Sequence, residues 1–274
     1  MPTASIASVL AKIPEKLVGK AVARPIGTLA GHAAGLPFED VVHVELVAAF
    51  PERAYRHYEL LNEMYRSHPA VTTPAERRCL LGPPALQHLL ARSTRATGGW
   101  DPERQFDAKQ DDTAESVILP THSLDLSQSG IHPVHLIDVK THNSAKTAQP
   151  PNIISAKKVA RACAHVLKST PSAVPFDINY VCIKWEEEDS RLVCKEASVV
   201  VLLRIPPEKI YINWAAATQI QFTPSEVPQD YSGTPLQWVQ EFIQRFCVSL
   251  ARQVTRQTRD LEEYRALLSE SQKS

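Results

Sequence analysis

His135–Ala156 reads HLIDVKTHNSAKTAQPPNIISA, and the fold turns on how its first third is read. Val134, Leu136, Ile137 and Val139 form a short apolar run, the composition of a buried strand. Asp138 and Lys140 interrupt that run, separated only by Val139. Side chains at i and i+2 of a strand share a face, so an acid and an ammonium emerge side by side at the end of a buried strand. A carboxylate there can hold Mg²⁺, and a lysine beside it can position or deprotonate a water. Those are the parts needed for metal-assisted hydrolysis of a phosphodiester. By itself Asp-x-Lys is equally a strand end with an ion pair, and context decides.

The neighbours supply context. Upstream, DDTAESVIL (Asp111–Leu119) offers a second strand entered through acids. Downstream, a polar loop leads into a helix expected from Ile153, with Lys157, Lys158, Arg161 and Lys168 on its surface. From Leu136 to Lys168, six Lys or Arg stand against the single acid Asp138. A run of that kind is either a solvated helix face or a local DNA contact.

The chain as a whole sets bounds. Its 274 residues suit one large domain, and 43% hydrophobic with 22% charged residues argues against disorder. The formal net charge is zero, so contact with nucleic acid has to come from a local basic patch. No apolar run approaches bilayer length, and MPTASIASVLAKIPEKL lacks the basic start and apolar block of a signal peptide. The expectation is a cytoplasmic protein with no membrane partner. Five scattered cysteines, none at metal-site spacing, read as reduced and mostly buried thiols.

Working outward, the first hundred residues read as mainly helical. An amphipathic helix carries Ile6, Leu10 and Ile13. Further helical stretches are expected at Phe38–Phe50, Ala54–Tyr65 and Ala75–Leu90. Glu39 falls in a first helical turn, where the helix dipole favours an acid. Gly19–Asp40, with four glycines, is irregular and not a P-loop. His32 within it either contacts a phosphate or base, or caps the next helix. Strands are expected at Ser116–Leu119, Val134–Thr141, Asp177–Glu186, Arg191–Leu203 and Lys209–Trp214. Leu236–Leu268 reads as a long helix with Trp238, Phe242, Phe246, Leu250 and Val254 on one face. Trp185 and Trp214 read as core. The order predicts a mixed α/β fold, a central mixed β-sheet flanked by helices. The expected organisation is a single domain over 1–274: a helical DNA-binding or dimer region at 1–100, a catalytic core at 111–222 and a C-terminal helix at 235–268.

Several segments, in order, carry a family resemblance: GTLAGHAAGLPFE (Gly27–Glu39), DDTAE (Asp111–Glu115), IDVKTHN (Ile137–Asn143), KTAQPPNIISAKK (Lys146–Lys158), FDINY (Phe176–Tyr180) and YINWAAATQIQF (Tyr211–Phe222). The chain resembles the HincII/HindII type of type II restriction endonuclease, in the PD-(D/E)XK nuclease superfamily. The resemblance implies a restriction-endonuclease-like fold and a Mg²⁺-dependent enzyme, with Mn²⁺ as a possible substitute. It implies a homodimer that cuts double-stranded DNA at GTYRAC to blunt ends, leaving 5′ phosphate and 3′ hydroxyl. A host methyltransferase protecting the site is also implied, though not as a physical partner.

Carried over by position, Asp138 bridges metal and scissile phosphate, Lys140 is the active-site lysine, and the Val139 carbonyl is a further metal ligand. The second acid falls on Glu115, where the resemblance leads one to expect Asp. Asp111 or Asp112 is the alternative; Glu115 is preferred because it directly precedes the strand. Thr141 stands behind the site or is simply a strand threonine. Gln149 corresponds to a side chain that enters the DNA stack, flanked by Ala148 and by Pro150, where Ala is expected. Asn152 and Asn213 correspond to base-edge readers, and Tyr211 and His32 to weaker DNA contacts. Two rivals remain at this level. One is a structure-specific repair or junction nuclease of the same fold, told apart by preference for branched DNA. The other is a DNA-binding protein that does not cut.

Overall fold

The computed structural model describes residues 5–25, 35–90, 114–127, 132–145, 151–169, 173–215 and 217–271. Among them, the Val134–Thr141 expectation becomes a strand over Val134–Asn143, and its partners organise the molecule. In chain order the strands are β1 (Ala21–Ala23), β2 (Ala54–Arg56), β3 (Ser116–Ile118), β4 (Val134–Asn143), β5 (Asn152–Ser155), β6 (Phe176–Glu188), β7 (Arg191–Val201), β8 (Tyr211–Asn213) and β9 (Gln219–Gln221). The helices are α1 (Ile6–Leu10), α2 (Ile13–Leu17), α3 (Leu36–Ala49), α4 (His57–Ser67), α5 (Pro74–Leu80), α6 (Pro84–Leu90), α7 (Ala156–Lys168) and α8 (Pro235–Ser271).

Six strands form one sheet in the order β1-β7-β6-β4-β3-β2, and β5-β9-β8 form a second. β4 and β6 run parallel, with Asp138 opposite Tyr180 and Lys140 opposite Cys182. The other pairs in the large sheet are antiparallel, so the sheet is mixed, as the element order predicted. A parallel pair needs a crossover, and α7 lies in it.

β4 is apolar on both faces because both are covered. Leu136, Tyr180 and Cys182 pack into a core with α6, α7, the start of α8 and the small sheet. Ile137, Val139, Val181 and Ile183 pack on the other side against α2 and α3. Trp185 is buried in that second core. Trp214 is half-buried, with its indole N–H donated to Ser249 Oγ at 2.8 Å.

Several expected elements are redrawn. The helix expected from Ile153 starts at Ala156. Asn152–Ser155 is a strand whose Ser155 Oγ accepts from the Lys158 amide and caps α7. The stretch expected as a helix from Ala54 opens as strand β2, because Ala54–Arg56 pair with β3. Ala75–Leu90 is two helices. Gly82 lies between them at φ +82°, and a Cβ there would meet the Leu126 carbonyl oxygen at 2.4 Å. The N-terminal amphipathic helix is likewise two short ones, with Pro14 in the first turn of the second. The strands β1 and β9 were not expected; three residues carry too little periodicity to register. Cys163, Cys182 and Cys194 are buried, whereas Cys79 and Cys247 are exposed. No helix among the described residues is long and apolar enough to cross a membrane.

Near the start of the parallel pair, His135 faces Asp177 in register, with Nδ1 3.5 Å from Oδ2. Burial pushes the Asp177 carboxyl up to about 6, against the opposing pull of Arg204 and the Ile178 amide. Burial, with Arg53 nearby, lowers His135 to about 4. Between those two values neither group carries its charge, so the contact is a neutral one. Asp177 has a folded pKa above its ordinary value, so its contribution to stability is full at acid pH and is lost as pH rises through about 6. Asp177→Asn is therefore expected to stabilise the fold by roughly 1–2 kcal/mol at pH 8 and by little at pH 4. Urea unfolding at both pH values checks this; an equal effect at both would contradict it.

Candidate active site

The site is built where β3 ends against β4. Ser116 pairs with Ile137 and Val117 with Leu136, so one step back along the same register Glu115 faces Asp138. The Glu115 backbone carbonyl accepts the amide of His57 at the start of α4, at 3.1 Å. Its side chain turns inward, and Oε2 accepts the Val139 amide at 2.9 Å. A side chain thus takes the place of a ladder partner just beyond the end of β3.

Asp138 is 5% exposed, and Lys140 Nζ lies 2.7 Å from its Oδ2. Alternation along β4 puts both on the face that carries Leu136. Burial, the Asp138 charge and a hydrogen bond between the two carboxyls push Glu115 well above the ordinary carboxylate range. For Lys140, burial pulls the pKa down, but Asp138 and Glu115 outweigh it and the net shift is upward. The result is a buried set in which ionisation of Glu115 is resisted while Lys140 is held as an ammonium.

A third acid stands close by. Glu39 of α3 is 8% exposed and adds to the upward push on Glu115. Its helix is fixed against β2 and β3 by an Asp40–Arg56 ion pair and by His43 Nδ1 2.9 Å from Ser116 Oγ. The dipole argument for Glu39 misses this, since its burial depends on how α3 docks. The available signal was its place at the end of the GTLAGHAAGLPFE segment. Tyr180 of β6, opposite Asp138, is also buried, and among the described residues its hydroxyl has no hydrogen-bond partner.

Beside Lys140 opens a groove of about 350 Å³, lined by Thr141, Cys182, Lys184, Glu196, Thr223 and Glu226 among others. Pro151 also lines it, so the groove reaches from β4 to the start of β5. Thr141 lies on its rim, but alternation turns its side chain to the Val139 face, away from Lys140. No side-chain hydrogen bond links the two among the described residues.

The second sheet gathers the residues expected to read bases. Asn152 and Tyr211 both pair with Gln221, from opposite sides of β9. Asn213 pairs with Gln219; its amide donates to Gln221 Oε1 at 3.1 Å and accepts the Ala215 amide at 3.0 Å. Reading a base would mean exchanging those partners. Tyr211 is 60% exposed. Gln221, at the centre of this row, escaped the sequence reading, although it alternates with Gln219 in the same YINWAAATQIQF segment. His32, Ala148, Gln149, Pro150, Asp111 and Asp112 lie outside the described residues.

A mixed sheet whose parallel central strand carries Asp138 and Lys140, with Glu115 delivered from the next strand, defines the restriction-endonuclease-like class of nuclease. A family profile described as restriction endonuclease HincII matches residues 13–263. The chain belongs to this family and is an enzyme of the type II restriction class. It is 38% identical to the type II restriction enzyme HindII of Haemophilus influenzae over 231 residues, 84% of this chain and 85% of that one. It is equally similar to the type II restriction enzyme HincII of Haemophilus influenzae, 38% identical with the same coverage. A solved structure, NlaIV restriction endonuclease, overlays 91% of each chain at TM-score 0.35 and 9% identity, too loosely to bear on the assignment.

Because the Glu39 charge raises Glu115, removing it eases ionisation of Glu115. Glu39→Gln is expected to move the acidic limb of the DNA-cleavage pH profile downward, by a few tenths of a unit to about one. An unmoved limb would place Glu39 outside the electrostatics of the site.

Proposed function

We propose that this chain hydrolyses double-stranded DNA at GTYRAC in a Mg²⁺-dependent reaction, with Mn²⁺ as a substitute. It would leave blunt ends with 5′ phosphate and 3′ hydroxyl. The observation that carries this reading is the buried Glu115–Asp138–Lys140 set. Burial and the Asp138 charge resist ionisation of Glu115 even with the Lys140 ammonium against Asp138. A divalent ion between the two carboxyls would supply the further positive charge that lets both ionise. Mg²⁺ suits such a pair, since it binds through one or two carboxylates and keeps several waters.

Glu115, Asp138 and the Val139 carbonyl are the groups that would hold the ion. Once bound, it would neutralise charge on the phosphate and on the departing 3′ oxygen. The chain's own part is positional. The Val139 amide holds the Glu115 carboxyl in place. Lys140 stays an ammonium under the pull of Asp138 and Glu115. As an ammonium it would orient a water or a phosphate oxygen as a donor.

For recognition, Asn152, Asn213 and Tyr211 on the small sheet are the proposed DNA contacts, with Gln149, Ala148 and His32 carried from the family resemblance. A side chain wedged at a pyrimidine–purine step would exploit the low cost of unstacking there. The proposed assembly is a homodimer, whose two-fold axis matches a palindromic site. The proposed organisation is one domain with the regions named above, acting in the bacterial cytoplasm.

One digest tests the whole reading. DNA with known GTYRAC sites is incubated with Mg²⁺ or with EDTA, and the cut ends are sequenced. Blunt, Mg²⁺-dependent cuts confined to GTYRAC are expected. Cuts at another defined site would keep the chemistry and overturn the readout. Branched DNA cut in preference to that duplex, or tight binding without cutting, would favour the rivals. In the same assay Lys140→Ala and Asp138→Ala are each expected to lower cleavage by at least ~100-fold, the scale of losing a positioned catalytic group. Lys140→Ala is expected to bind the site nearly as well as the parent, measured by gel shift in Ca²⁺. Retained cleavage by either variant would remove that residue from the mechanism.

A further inference from the structure

α8 runs for 37 residues, about 55 Å at 1.5 Å per residue, and only its first part is packed. Trp238, Val239 and Phe242 are buried, and Ser249 is still held by Trp214. From Leu261 to Ser269 every residue is exposed. A helix this long standing off its own domain is marginal in water unless a partner covers it.

Its exposed residues are patterned. Cys247, Leu250, Val254, Gln257, Leu261, Tyr264 and Leu268 follow one another at alternating steps of three and four residues. That is a heptad seam sustained over three repeats, the spacing of a coiled coil and not of a helix buried in a core. Val254 is 52% exposed and Tyr264 69%, so the seam faces solvent. Arg252, Arg256, Arg259, Glu262 and Glu263 all fall on positions away from it.

We propose that the distal half of α8 forms a two-stranded parallel coiled coil with a second copy of this chain. In that pairing a residue just before one seam position meets the partner residue five places further on. Asp260 and Arg265 occupy those two positions. Each Asp260 thus faces the partner's Arg265, and two-fold symmetry makes the pair twice. Within one helix, residues five apart do not share a face, so the pair has meaning only between chains. Gln257 provides a single polar layer, which fixes register and pairing. This rests on the homodimer reading and names a contact within it; failure of the seam would leave the two-fold assembly to be held by other surfaces and the cleavage chemistry intact.

The test uses full-length Cys79→Ser protein, in which Cys247 is the remaining exposed thiol. In a parallel pair the two Cys247 side chains face each other, so a short bismaleimide is expected to link them into a covalent dimer. Leu261→Lys/Leu268→Lys is expected to cut the linked fraction at least tenfold at sub-micromolar protein, while circular dichroism of the body and DNA cleavage per site are followed alongside. Asp260→Arg is expected to lower linking, and Asp260→Arg/Arg265→Asp to restore it. Complete alkylation of Cys247 without dimer would overturn the proposal. So would linking that ignores both seam and charge substitutions, or a charge swap that fails to rescue.

Discussion

One charge balance governs this molecule. Glu115, Asp138 and Lys140 meet in a buried space where two carboxylates and one ammonium cannot all be accommodated as isolated ions. The ammonium pairs with Asp138, while burial and the Asp138 charge resist ionisation of Glu115. The cost of burying three ionisable groups is offset by the two hydrophobic cores that cover the faces of β4.

That balance depends on strand register. A shift of one residue between β3 and β4 would take Glu115 away from Asp138 and turn it to the other face of the sheet. Register is held by Ser116 against His43, by the Glu115 carbonyl against the His57 amide, and by the Val139 amide against the Glu115 side chain. Helices α3 and α4 are therefore not only a cover for the sheet. They hold β3 in step with β4, and α3 brings Glu39 within range of the same carboxylates.

The large sheet carries Asp138 and Lys140, and in the small sheet Asn152 and Tyr211, some sixty residues apart in the chain, pair on either side of Gln221. The groove beside Lys140 runs from one to the other.

The sequence by itself determined the central strand, the placement of Asp138 and Lys140 on one face, and the mixed sheet between helices. Each follows from local periodicity or from an ordered set of motifs. It did not reveal β1, β2, β5 or β9, because a three- or four-residue strand is made by its partner and not by its own composition. It did not reveal the burial of Glu39, the Asn213–Gln221 bond or the upward push on the Glu115 carboxyl. Those arise from distances between residues far apart in the chain, and only the docked tertiary structure decides such distances.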